Sequence, residues 1–272
     1  MKLVLKTHTA SNLDKAAGKP LDILFIHGTG SKSDMWAAQV SQMLELGHRC
    51  YTVDLRGHGS SPEPGEKTDL AVHIEDVLET IQDSDITFPC VFVGHSLGAI
   101  ISVSMAASSP ELFAMVFAAG LPARVLKPVS LAFRVFMRTG YNGIKKSGLH
   151  KNWSFRPRTL IETERHALEQ IMHNFEGVDF LAKPPQVACP LHLAAGRFDP
   201  VAPCHYAVRL HQLLPKSTLK IFELAGHNFM DTHGREFNTW LMDGLGGRLA
   251  AGSTEGLTAD IESEMARNST SS

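Results

Sequence analysis

Short apolar runs alternate with longer amphipathic stretches along the chain. Seven runs have the length and the apolar, often β-branched character of buried strands: 2–7, 22–26, 49–53, 90–94, 113–118, 191–195 and 218–222. The spacing of apolar residues predicts helices near 34–46, 69–82, 97–108, 204–214 and 235–245. This alternation predicts an α/β fold in which helices flank a mostly parallel twisted sheet.

One connection between predicted strands is much longer than the others. Residues 121–190 separate two strands, whereas a crossover between parallel strands needs only about a dozen residues. We therefore expect a core formed by 1–120 and 186–248, with a helical cap at 121–185 inserted before the last two strands. Helices are predicted in this cap at 128–139 and near 159–175. The polar, small-residue-rich end at 249–272 is expected to be a mobile tail.

Composition and charge exclude several classes of protein. The 272 residues are 43% hydrophobic and 20% charged with a net charge of −2, which favours a globular domain and no nucleic-acid partner. The start of the chain has no secretory apolar run, and no stretch reaches the roughly 18 apolar residues of a membrane span. We expect a cytoplasmic protein without stable membrane insertion. The cysteines and histidines match no zinc spacing, so neither metal nor cofactor is expected. The oligomeric state stays open.

The strongest chemical signal is Gly94-His95-Ser96-Leu97-Gly98, which follows a predicted buried strand and opens a predicted helix. A G-x-S-x-G sequence in this strand–turn–helix setting predicts a sharp turn that exposes the serine hydroxyl at the end of the sheet. The flanking glycines are expected because neighbouring backbone must pass close by. Ser96 is thus the candidate nucleophile.

A serine nucleophile needs a base to take its proton and a carboxylate to orient that base. His227 and Asp199 each follow one of the last two predicted strands, and the carboxyl ends of parallel strands meet at one edge of a sheet. Ser96, Asp199 and His227 are therefore the candidate catalytic triad. His95 is expected to point away from Ser96 and either to pack in the interior or to line the substrate pocket.

An oxyanion hole requires two backbone N–H groups aimed at the reacting carbonyl oxygen. We assign one to the amide of Leu97, directly after the nucleophile. The other is assigned to Thr29, in the glycine-containing loop that follows the strand at 22–26.

These pieces together resemble the α/β-hydrolase family, in its single-domain, cap-bearing branch of esterases, lipases and carbon–carbon bond hydrolases. The matching stretches are HGTG (27–30), DLRGHGSS (54–61), GHSLG (94–98), GRFDPVAP (196–203) and AGHNF (225–229). They occur in the family's order of serine, acid and histidine. The resemblance also implies that Asp54, Arg56, His58 and Ser61 brace the loop after the third strand.

The predicted cap suggests a substrate class. Along 128–139, Arg134 and Arg138 fall on one side of the helix, and Phe133, Phe136 and Met137 on the other. We predict that these three apolar residues line a pocket for the acyl or alkyl part of an ester. Lys and Arg outnumber Asp and Glu eleven to five over 121–185. The arginines either face water or give the cap affinity for an anionic substrate or an acidic lipid surface.

We predict a serine hydrolase that cleaves small-molecule carboxylic esters through an acyl-enzyme. Two alternatives stay open: cleavage of carbon–carbon bonds or acyl transfer with the same triad, and a non-catalytic ligand receptor on the same fold. Carbon–carbon bond hydrolases of the family usually carry HGxGPG, whereas residues 27–32 contain no proline. This difference lowers the weight of that alternative.

Overall fold

The computed structural model describes residues 1–9, 20–63, 68–125, 127–175 and 177–255. Its single sheet has eight strands in the order β1-β3-β2-β4-β5-β6-β7-β8, and only the edge strand β1 runs antiparallel to its neighbour. The strands are β1 (Val4–His8), β2 (Asp22–Ile26), β3 (Arg49–Asp54), β4 (Cys90–His95), β5 (Phe113–Ala119), β6 (Leu191–Gly196), β7 (Thr218–Phe222) and β8 (Thr254–Glu255). The predicted α/β fold with a mostly parallel sheet is confirmed.

Helices occupy the connections between strands. The core helices are α1 (Ala37–Glu45), α2 (Leu70–Gln82), α3 (Leu97–Ser108), α8 (Cys204–Leu213), α9 (Phe229–Thr232) and α10 (Gly234–Leu245). Between β5 and β6, within the segment interpreted as a cap, lie α4 (Lys127–Thr139), α5 (Tyr141–Ser147), α6 (Phe155–Glu162) and α7 (Arg165–Asn174). We call residues 121–185 the cap segment. No helix in the described ranges is long and apolar enough to cross a membrane.

The sheet is covered on both faces, which explains why its strands are continuously apolar. Along β2, Leu24 and Ile26 pack into one hydrophobic cluster with residues of α2, α3 and α8. The intervening residues Ile23 and Phe25 pack into a second cluster with residues of α1 and α10. The two layers hold the carboxyl ends of the parallel strands in place at one edge.

Two parts of the chain differ from their predicted secondary structure. The helix predicted near 159–175 is two helices, because Thr163 and Glu164 adopt extended backbone between α6 and α7. The stretch expected to be mobile from residue 249 includes β8, which pairs in parallel with β7. The rest of that predicted tail, from residue 256, lies outside the described residues.

Candidate active site

Ser96 lies at the junction of β4 and α3 and has strained backbone angles of φ 53° and ψ −111°. A positive φ is costly for a residue with a side chain and persists only where the surroundings enforce it. Here the Ser96 amide donates to the Ala119 carbonyl at 2.9 Å, and its carbonyl accepts from the Ile100 amide at 3.0 Å. Both contacts fix the turn that starts α3.

The glycines on either side of Ser96 are required by close backbone contacts. A Cβ atom at Gly94 would lie 2.4 Å from the Gly98 carbonyl oxygen, and one at Gly98 would lie 2.2 Å from the Ile26 carbonyl oxygen. No side chain fits at these distances. The predicted steric role of both glycines agrees with this geometry.

Asp199 and His227 are brought together by the ends of β6 and β7. The Nδ1 atom of His227 lies 2.7 Å from Oδ2 of Asp199. The other oxygen of this buried carboxylate accepts from the amides of Val201 and Ala202, both at 2.8 Å. The carboxylate is therefore held from two sides, and it fixes the orientation of the imidazole so that Nε2 is left to act as a base.

His95 is packed in the interior and is not among the residues that line the cavity beside Ser96. Its ring is buried beside that of His227, with the ring centroids 4.8 Å apart, and its Nε2 lies 3.1 Å from the His227 carbonyl oxygen. A carbonyl can only accept, so Nε2 carries the proton and donates. Burial, and after it the neighbouring His227, lowers the pKa of His95 well below its usual value. The neutral His95 thus donates a hydrogen bond to the backbone of the loop that carries His227.

The loop after β3 braces the loop that carries Thr29. Both oxygens of Asp54 accept backbone amides, from Ser33 at 2.7 Å and from Ser60 at 3.0 Å. Arg56 forms a buried ion pair with Asp76, with Nη2 2.7 Å from Oδ1. These contacts match the bracing role that the family resemblance implies.

Two neutral histidines connect these loops. Nε2 of His58 accepts from the Gly30 amide at 3.0 Å, and Nε2 of His27 accepts from the Leu55 amide at 2.9 Å. In each ring, Nδ1 therefore carries the proton and donates to a backbone carbonyl. Burial lowers the pKa of His27 to about 3 and that of His58 to about 4. Protonation at Nε2 would break both contacts.

A cavity opens beside Ser96, and Thr29 and Leu97 also line it. It encloses about 60 Å³ of space and is mostly apolar, with no charged residue in its lining. The remaining lining residues are Ile100, Pro122, Val125, Ser130, Ile171, Phe175 and Val201. Ser96 and both residues predicted to form the oxyanion hole therefore border one mostly apolar space.

The three residues of α4 predicted to line a substrate pocket, Phe133, Phe136 and Met137, are not among the residues that line this cavity. Met137 belongs to a hydrophobic cluster inside the cap segment, and Phe133 and Phe136 pack against that cluster. Ser130, Ile171 and Phe175 supply the cap side of the cavity instead. Hydrophobic pattern predicts the apolar positions of α4 but not the rotation of the helix, which depends on its packing against α5 and α7.

An ion pair links the cap segment to the core, and the sequence pattern did not predict it. Arg156 on α6 binds Asp231 on α9, with Nη2 3.0 Å from Oδ1. The same guanidinium lies 3.2 Å from the Ser31 hydroxyl in the loop after β2. Arg156 thus ties the cap segment to two core elements.

Comparison with known proteins agrees with the fold and the motifs. The Alpha/beta hydrolase family matches residues 23–240. A protein named "Putative carbamate hydrolase RutD" from Enterobacter cloacae subsp. cloacae is 27% identical over 252 residues, which span 85% of this chain and 93% of that protein. A pimeloyl-[acyl-carrier protein] methyl ester esterase from Aliivibrio fischeri is 26% identical over 255 residues, spanning 84% and 95%.

A solved structure shares the architecture at lower sequence identity. The esterase EaEST from Exiguobacterium antarcticum superimposes with a TM-score of 0.75 at 19% identity, covering 89% of this chain and 94% of that one. At this identity the similarity concerns the fold. The family match spans most of the chain and includes the strands that carry Ser96, Asp199 and His227. The chain is a hydrolase and belongs to the alpha/beta hydrolase family.

Proposed function

We propose that this hydrolase cleaves carboxylic esters with a short apolar acyl or alkyl part, through a covalent acyl-enzyme at Ser96. The observation that carries the proposal is the strained position of Ser96 on an uncharged, mostly apolar cavity that Thr29 and Leu97 also line. The hydrogen bond between His227 and Asp199 adds support.

In the first half-reaction, Ser96 Oγ attacks the ester carbonyl carbon while His227 Nε2 takes the hydroxyl proton. Asp199 holds the Nδ1–H of the imidazole and stabilises the imidazolium that forms. The protonated Nε2 then gives its proton to the leaving alcohol oxygen as the C–O bond breaks. The acyl group remains on Ser96.

The negative charge on the carbonyl oxygen requires N–H donors during this step. The amides of Thr29 and Leu97 are the proposed donors, because both residues border the cavity next to Ser96. Leu97 is also the first residue of α3, where the helix dipole favours negative charge. Removing one such donor typically costs on the order of 100- to 1000-fold in turnover.

In the second half-reaction, water replaces the alcohol. His227 Nε2 takes a proton from water, the hydroxide oxygen attacks the acyl carbon, and collapse of the intermediate returns the proton to Ser96 Oγ. The acid product leaves and the enzyme is restored. Water and side chains of this chain account for every proton in both steps.

The size of the cavity supports a small substrate group. One water molecule requires roughly 10–15 Å³ on a comparable measure, so a cavity of about 60 Å³ holds only a few small groups. In this proposal residues 121–185 act as a cap, and Ile171 and Phe175 form the wall that limits acyl length.

Carbamates are the second candidate class, because the relative from Enterobacter cloacae carries that activity in its name. A carbamate presents the same carbonyl and alcohol leaving group to Ser96, so the same residues would serve. Carbon–carbon bond cleavage or acyl transfer, and a receptor without catalysis, remain the further alternatives.

The test compares hydrolysis of 4-nitrophenyl acetate, butyrate and octanoate and of a matched 4-nitrophenyl carbamate. We expect the two short esters to have the highest kcat/KM, and Ser96→Ala to reduce it to background, a loss on the order of 10⁶-fold in kcat. A carbamate turned over faster than its matched ester would replace the ester assignment. A folded enzyme with no activity on any of these substrates would contradict the proposal.

A further inference from the structure

The outer face of α4 carries two apolar side chains between two basic ones. Lys127, Leu131, Val135 and Arg138 are spaced four, four and three residues apart, which places them on one side of a helix. All four are exposed, Leu131 by 57% and Val135 by 52%. Helices of globular proteins normally turn such leucines and valines towards the core.

The opposite face of α4 is packed against other parts of the protein. Ser130 is buried at the cavity, and Met137 is fully buried in the hydrophobic cluster of the cap segment. Rotating the helix to bury Leu131 and Val135 would expose these two residues. The exposed apolar face is therefore a stable feature of the surface.

Exposed apolar residues are concentrated in the same part of the chain. Four of the six large hydrophobic residues exposed in the described ranges belong to the cap segment, where Leu149 (66%) and Trp153 (38%) follow those of α4. The short helix at Leu149–Asn152 comes directly after α5, which itself follows α4. Exposed apolar residues of this kind are typical of a surface that binds a partner, and Leu131 and Val135 share one face of α4.

Basic residues predominate in this region. Residues 121–161 contain nine Lys and Arg and no Asp or Glu, and four of the bases form ion pairs with acids outside this range: Arg124, Lys145, Arg156 and Arg158. Lys127, Arg138, Lys146 and Lys151 are all exposed. The cavity lining contains no charged residue, so this positive charge is not directed at the reacting part of the substrate.

We propose that the outer surface of the cap segment, formed by α4 and the segment through Trp153, docks on an anionic phospholipid bilayer. Basic side chains meet lipid headgroups electrostatically, while apolar side chains beside them enter the boundary of the acyl chains. Tryptophan is enriched at this boundary. An acidic protein could also cover Leu131 and Val135, so it is the alternative that the experiment has to separate from a bilayer.

The experiment measures sedimentation of the full-length protein with vesicles of phosphatidylcholine alone or with about 30% phosphatidylserine. The double variant Lys127→Gln/Arg138→Gln removes two charges from the surface, and Leu131→Ser/Val135→Ser removes its apolar part. The matched control Arg209→Gln/Lys216→Gln removes the same charge from exposed positions outside the cap segment. Soluble polyglutamate serves as a probe for an acidic protein partner.

We expect binding to the anionic vesicles and little to the neutral ones. The charge variant should weaken that binding roughly 30-fold, because each base near an anionic membrane strengthens binding by roughly fivefold. The apolar variant should also weaken it, and the control should not. Absence of binding to anionic vesicles, or equal loss in the control, would overturn the proposal. Binding to polyglutamate alone would reassign the surface to an acidic protein.

This docking does not depend on the proposed ester chemistry. Ser96→Ala should bind the vesicles as the native chain does, and Lys127→Gln/Arg138→Gln should hydrolyse soluble short esters at the native rate. Failure of one proposal therefore leaves the other intact.

Discussion

At the scale of single residues, His95 and His227 form a contact that joins positions 132 residues apart in the chain. The motif around Ser96 predicts that the neighbouring histidine does not act as its base. It does not indicate which group His95 contacts, because that partner is a backbone carbonyl in the loop after β7. The Nε2–H of His95 holds the backbone carbonyl of the proposed catalytic base.

His95→Phe is expected to lower kcat roughly fivefold with little change in KM, because it removes a buried hydrogen bond that positions His227. His95→Gln keeps an N–H donor of similar reach and should recover most of the rate. Steady-state kinetics with a short ester measures both variants. Equal losses in the two variants, or none in either, would remove the positioning role.

The three proposed triad residues could be identified from sequence for a physical reason. Each follows a predicted strand, and parallel strands of one sheet end at the same edge. The hydrogen bond between His227 and Asp199 agrees with that placement. The pocket residues could not be identified in the same way, since Ile171 and Phe175 reach the cavity through packing between helices.

At the scale of elements, the seven main strands and five of the six core helices could be predicted from hydrophobic pattern, whereas the short α9 and the break between α6 and α7 could not. The Tyr141 hydroxyl donates to the carbonyl of Ile161 at 3.0 Å and also contacts the Thr163 carbonyl. This contact satisfies backbone acceptors at the end of α6, so the helix stops there. A side chain from α5 thus helps to end α6, and the helix propensity of the α6 residues alone does not predict that end.

Ile171 on α7 belongs to the cavity wall, and its truncation should extend the acyl chain that the enzyme accepts. We expect Ile171→Ala to raise kcat/KM for the octanoate relative to the acetate ester by roughly tenfold, since the added space admits further methylene groups. The matched control is Ile161→Ala, which truncates an equally buried residue that does not line the cavity.

Both truncations should cost about 2–5 kcal/mol of stability, because each leaves a hole in a packed cluster. Only Ile171→Ala should change the ratio between the two esters. An unchanged ratio in Ile171→Ala, or an equal change in Ile161→Ala, would show that α7 does not limit acyl length.

At the scale of the whole molecule, stability should depend on pH through buried neutral histidines. Burial lowers the pKa of His27 and His73 to about 3 and that of His58 to about 4, from 6.5 in the unfolded chain. At a pH between the lowered pKa of each histidine and 6.5, the unfolded chain binds more protons than the folded one. The stabilisation is therefore complete above pH 6.5 and declines as the pH falls towards 4, by about 1.4 kcal/mol per pH unit for each histidine.

His73 offers a direct check of this dependence, because its two ring nitrogens have no hydrogen-bond partner among the described residues. His73→Leu should flatten the fall in the free energy of unfolding between pH 6.5 and 4.5, measured by urea denaturation. The exposed His166→Gln should leave the slope unchanged. An identical slope in His73→Leu and the native chain would show that His73 does not titrate as predicted.

The fold of the whole chain places the proposed nucleophile, Ser96, directly after β4, and the proposed chemistry requires its hydroxyl to be reactive. The most direct measurement is labelling of the folded protein with a fluorophosphonate, followed by intact mass. We expect one adduct per chain, none in Ser96→Ala, and much slower labelling in His227→Gln. A folded native chain that stays unlabelled, or a Ser96→Ala variant labelled as fast as the native chain, would contradict it.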